Sequence, residues 1–192
     1  MKRNFVLSML VLSALVLLVG CKSVDTVSIK EQEKTLQVLE AKEQNEKDYN
    51  KLFDLELYSD KEIYKTTEKI NIWATLKYIG DNNQIKIWHG EPYICFYISD
   101  DEEFNIGGII CSILTSTILE KDKLYKFDYA KNGGYSEDDP KADFWKEFYS
   151  EKDLYLPAGE YTVKVWGHFS LMEDTEKSKS NLSKEIKIKV EK

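Results

Sequence analysis

The sequence predicts a mainly β protein, an antiparallel β-sandwich with one short inserted helix. Three observations lead there. From Lys51 onward, apolar residues recur at every second position in run after run. The runs are short and separated by clusters of Gly, Asn, Asp and Pro. One segment alone, after Asp139-Pro140, switches to helical spacing.

Taken in order, Phe53, Leu55 and Leu57 alternate with Asp54, Glu56 and Tyr58. Ile70, Ile72, Ala74, Leu76 and Tyr78 alternate with Asn71, Trp73, Thr75 and Lys77, the clearest strand in the chain. Gly80-Asp81-Asn82-Asn83 marks a turn. Ile85 and Ile87 then alternate with Lys86 and Trp88. Gly90-Glu91-Pro92 punctuates, and a new β-rich run covers Tyr93 to Ile98. Ile109 to Leu119 is β-branched and Thr-rich, and Leu124 to Tyr129 alternates again. Asn132-Gly133-Gly134 is a turn signal. Asp139 as cap and Pro140 in the first turn predict a helix from about Pro140 to Ser150, laid over a sheet edge. The last strands are Tyr161 to Leu171 and Lys184 to Val190, joined by a charged loop, Glu173 to Ser180.

Leu156-Pro157-Ala158-Gly159-Glu160-Tyr161 leads into an alternating strand. In immunoglobulin-like sandwiches, a tyrosine at the start of the sixth strand bonds back to upstream backbone and pins the corner between sheets. Tyr161 suits that role; an ordinary turn is the alternative. The expected fold is therefore an Ig-like β-sandwich over residues 51–192.

The run from Ile70 to Leu171 also resembles the BsuPI-like family of bacillar intracellular proteinase inhibitors. LKYIGDNNQIKIW, HGEPYICFYISD and LPAGEYTVKV carry the resemblance, over about half the chain. It implies an Ig-like fold and, as activity, proteinase inhibition, for which Gly133 to Asp139 is the candidate exposed loop. The chain departs from that family in its export signal and in the inserted Gly133 to Ser150.

That export signal opens the chain. Met1-Lys2-Arg3-Asn4 is cationic, and Phe5 to Val19 is apolar apart from Ser8 and Ser13. The apolar stretch is short for a spanning helix, which needs about 20 residues. Leu18-Val19-Gly20-Cys21 resembles the lipobox of bacterial lipoproteins. That resemblance implies a signal peptide over 1–20, cleavage between Gly20 and Cys21, and diacylglycerol with a further N-acyl chain (palmitate-type) on Cys21. Two or more acyl chains anchor stably where one does not. Residues 21–50 are then the lipidated cysteine and a polar, partly helical tether, too poor in apolar residues for a buried stripe or a coiled-coil seam. The expected location is the extracytoplasmic face of the cell membrane. The Lys-, Ile-, Asn- and Tyr-rich composition fits a single-membrane bacterium; in a cell with two membranes, the resemblance to lipoprotein sorting preferences implies that Lys22 favours the outer membrane.

Charge narrows the partners. Losing residues 1–20 removes Lys2 and Arg3 and takes the formal charge from −7 to −9. An acidic surface disfavours nucleic acid and anionic lipid. Cys95 and Cys111 either form a disulfide, closing a loop of about 15 residues worth roughly 3 kcal/mol, or pack as free thiols. His89 and His168 have no metal-ligand spacing, and Glu137, Asp138, Asp139 and Asp143 lack calcium-loop spacing. No nucleophile elbow or phosphate loop is present. The expectation is no catalytic residue, no metal and no cofactor beyond the acyl chains.

Strand parity points elsewhere. With Ile85, Ile87, Tyr161, Val163 and Val165 inward, Trp88, Trp166 and His168 face outward on strands that neighbour each other in an Ig-like order. Such rings can stack on a sugar or anchor a protein. Three arrangements follow: Trp145 and Phe148 of the helix cover the patch, the patch is open, or a bulge at His89-Gly90 turns Trp88 into the core. The functional expectation is a lipid-anchored, non-enzymatic interaction module of the cell envelope, with an envelope protein or a glycan as partner and proteinase inhibition as the alternative.

Overall fold

The computed structural model describes Tyr49 and residues 51–192. The signal peptide, Cys21 and nearly all of the tether lie outside the described residues. Among those described, no helix is long and apolar enough to cross a membrane.

Two sheets form the domain. The smaller contains β1 (Phe53–Ser59), β3 (Ile72–Tyr78) and β7 (Leu124–Asp128), in the order β1-β3-β7. The larger contains β2 (Ile63–Lys65), β4 (Gln84–Ser99), β5 (Asn105–Gly107), β6 (Cys111–Glu120), β8 (Gly159–Ser170) and β9 (Ser183–Glu191). Its order is β2-β9-β8-β4-β5, and β6 also pairs with β4. Chain order maps these onto the A-B-E and G-F-C groupings of an immunoglobulin-like sandwich. Among the described strands, the pairings are antiparallel except β2 with β9, which is parallel, so the larger sheet is mixed rather than purely antiparallel.

Alternation places the core between the sheets. Leu55, Leu57, Ala74, Leu76, Ile87, Ile98, Val163 and Val165 are all buried. Aromatic contacts join the layers: Phe53 meets Phe169 edge-on at 5.1 Å, and Tyr93 meets Phe127 at 5.2 Å. Gly90-Glu91-Pro92 does not end a strand. β4 runs on through it, and the register with both β6 and β8 shifts there. The shift follows Trp88, so Trp88 stays outward and does not enter the core.

The helix α1 (Ala142–Ser150) begins two residues later than the Asp139-Pro140 signal suggests. Asp139 instead caps a preceding turn: its carboxylate accepts from the Lys141 N–H at 2.7 Å and its carbonyl from the Ala142 N–H at 2.9 Å. Trp145 and Phe148 are buried against Phe104, with ring centroids 5.4 and 5.8 Å away, and Phe104 packs on Tyr161 at 5.5 Å. The helix therefore closes the end of the sandwich beside the Tyr161 corner. It does not cover Trp88 or Trp166.

Candidate binding groove on the outer sheet face

On β8, Tyr161, Val163, Val165 and Phe169 are buried, while Trp166 is half-buried and His168 exposed. On β4, Ile87 and His89 are buried and Trp88 is half-buried. Because Trp88 pairs with Ser170, four residues along β8 from Trp166, the two indoles stand at opposite ends of a short outward row with His168 between them. Trp88, Trp166 and His168 line one groove of about 590 Å³.

The groove has two walls. Ile110, Cys111 and Leu114 at the start of β6 form one; Thr175, Glu176 and Lys179 of the loop before β9 form the other. Two extra residues bulge β6 there, since His89 pairs with Thr115 but Glu91 pairs with Cys111. The bulge turns Ile113 and Leu114 out to solvent. Lys86 places its ammonium 4.1 Å from the Trp88 ring, a cation–π contact that fixes the indole. The His168 imidazole is held below the ordinary histidine value, first by desolvation and then by the charges of Lys179 and His89. At neutral pH it is therefore an uncharged donor–acceptor at the groove floor. A site of this size, with aromatic and aliphatic residues alongside His168, Thr175, Glu176 and Lys179, suits a small ligand with both apolar and polar groups or a segment of a larger one.

The two histidines lie on opposite faces. His89 is buried between the sheets, its Nδ1 2.8 Å from the Gly90 carbonyl and its Nε2 2.9 Å from Thr117 Oγ1. A carbonyl only accepts, so Nδ1 carries a proton. No cluster of three or more metal-ligating side chains occurs among the described residues.

Cys95 and Cys111 are free thiols, one buried and one exposed. Cys111 pairs opposite Glu91, whereas Cys95 sits four residues further along β4, opposite Trp166. On the order of 10 Å of strand separates the two positions, too far for a bond needing Cα atoms within about 7 Å. Burial pushes the Cys95 thiol up to about 11.

The Tyr161 hydroxyl donates to the Pro157 carbonyl at 2.9 Å, back across the Gly159 turn. A side chain at Gly159 would meet the Tyr161 ring at 3.4 Å. One anchoring residue escaped the sequence reading. Tyr49, assigned to the tether, is fully buried between Phe53 and Phe169. Its immediate neighbours in sequence are polar, and apart from Phe53 its partners Phe169, Leu171 and Ser178 lie more than 100 positions away, so no local pattern marks it.

No family model and no curated protein matches the chain. Among solved structures, it is similar to the sporulation control protein Spo0M of Bacillus subtilis, at 14% identity over 73% of this chain and 50% of that one, with a TM-score of 0.37. It is similar to the β-glucosidase EmGH1 of Erythrobacter marinus at 14% identity, over 72% and 15% of the two chains, with a TM-score of 0.38. It is similar to the β-glucosidase of Listeria innocua in complex with isofagomine at 13% identity, over 72% and 16%, with a TM-score of 0.35. The chain thus spans half or less of the length of each.

Proposed function

We propose that this chain is a non-enzymatic binding module of the bacterial cell envelope, held on the extracytoplasmic membrane face by acyl chains on Cys21. One observation carries the binding role: Trp88, Trp166 and His168 line a single open groove. Two half-exposed indoles on rigid neighbouring strands form a stacking surface with little ordering cost. The lipobox-like Leu18-Val19-Gly20-Cys21 supports the anchor.

The full chain, solubilised from membranes in detergent, should sediment with purified cell wall. Trp88→Ala and Trp166→Ala together should abolish that. Unchanged sedimentation of the double variant removes the groove from the proposal.

Proteinase inhibition is the second reading. The candidate loop, Gly133 to Asp139, is exposed up to a half-buried Asp139, and Lys131 fastens its base by donating to the Phe148 carbonyl at 2.6 Å. Incubation with a subtilisin-type protease tests it; rapid cleavage of the loop with no loss of protease activity counts against it.

A further inference from the structure

The outer edge of the larger sheet carries a second surface. Residues 105–119 contain no charged side chain, in a protein where 32% of residues are charged. Ile109, Ile113 and Ile118 are 66%, 75% and 53% exposed, so most of this neutral run faces solvent, Ile106 and Leu119 being its buried residues. β6 pairs with β4 on one side, and no described strand pairs with its other side. Such an edge is a template for another strand.

Its open groups can be identified. Lys121 donates its N–H to Asn83, across to the β4 side. Antiparallel alternation then turns the main-chain groups of Leu119, Thr117 and Thr115 toward β4, and those of Ile118 and Ser116 outward. Glu120 also faces outward, but its N–H donates to the Tyr125 hydroxyl at 2.9 Å. Toward the N-terminus, the bulge ends the regular edge. What remains open is a short neutral segment symmetric about Thr117.

We propose that this edge pairs antiparallel with the same edge of a second copy, with the dyad through Thr117. Ser116 of one copy then faces Ile118 of the other, and each pair exchanges two N–H···O=C bonds. Charge favours a second copy as occupant. A chain of net charge −7 repels itself over most of its surface, and this strand lets two copies approach without opposing charges. Symmetry favours it too, because the open groups are self-complementary under a two-fold axis. About five residues per strand bury far less than the ~800 Å² per partner of a standard interface, so the pair is weak at low concentration. The two sheets become continuous, and both Trp88–Trp166 grooves open on the same face.

The test uses the full chain in membranes of expressing cells, with Cys111→Ser removing the native exposed thiol. Ser116→Cys and Ile118→Cys, on separate co-expressed copies, are oxidised with copper-phenanthroline and run on a non-reducing gel. A homodimer band several-fold above that of the Cys111→Ser chain alone is expected. Ile63→Cys, equally exposed on the opposite edge strand β2, should give no such increase. Protection of Cys95 from maleimide in the same preparations verifies folding. No homodimer band, an equal band from Ile63→Cys, or adducts only with proteins of other mass would overturn the proposal.

Discussion

The hydroxyl of Tyr49 donates to the carbonyl of Ser178 at 2.5 Å and accepts the Leu171 N–H at 3.0 Å. One buried phenol thus ties together both ends of the loop that carries Thr175 and Glu176, a wall of the groove. Tyr49→Phe keeps the ring between Phe53 and Phe169 but leaves a buried N–H and C=O without that partner. The expected loss is about 1–3 kcal/mol of stability, read by urea denaturation. Amide exchange at Leu171 should accelerate while the β3 amides stay protected. Unchanged exchange at Leu171 would show that the loop holds itself.

Alkaline pH should destabilise the fold in a defined window. Burial raises Tyr64, Tyr93 and Tyr161 each to about 12, with nearby carboxylates (Asp60, Glu91 and Asp100 respectively) adding to it. An unfolded tyrosine ionises near 10. The folded state holds these protons more tightly, so their stabilisation is complete below about pH 10 and is lost as pH rises toward about 12. Unfolding free energies measured from pH 8 to 12 should be level at first and then fall. Tyr161→Phe should lessen that fall while lowering stability at pH 8 by about 1 kcal/mol through the lost bond to Pro157.

The thiols should separate kinetically. Cys111 is exposed on a groove wall, whereas Cys95 is 2% exposed and its thiol is shifted to about 11. Thiolate is the reactive form, so a maleimide at pH 7 should label Cys111 within minutes and leave Cys95 untouched until denaturant is added. Equal labelling of both would mean that β4 opens readily near Trp166.

Much of this architecture was legible because half-buried strands must alternate. The pattern from Ile70 to Tyr78, and the parity that sends Trp88, Trp166 and His168 to one outer face, need only a period of two. What escaped depends on contacts distant in sequence or on very short elements. β2 and β5 have three residues each, too few to show a period. Gly90 and Pro92 read as a break, yet the neighbouring strands carry β4 through them. The neutral run in β6 resembles a buried strand in composition, and only the topology shows it to be an edge. The position of α1 was equally hidden, because Trp145 and Phe148 could serve any apolar surface and Phe104 offers it at the sandwich end.

Gly90 gives the sharpest test of the groove wall. A Cβ placed there would lie 2.3 Å from the Cys111 carbonyl oxygen, which is backbone and cannot swing aside. Gly90→Ala must therefore push the start of β6 away from β4, and overpacking of this kind costs about 1–3 kcal/mol. The strain falls where Ile110, Cys111 and Leu114 form the wall, so stability and groove shape should change together. Thermal unfolding should register the loss, and acrylamide should quench Trp88 and Trp166 more strongly than in the native protein. Trp145, buried at the far end against Phe104, should keep its protection. An alanine variant with native stability and native quenching would mean that β6 does not approach β4 this closely at Gly90.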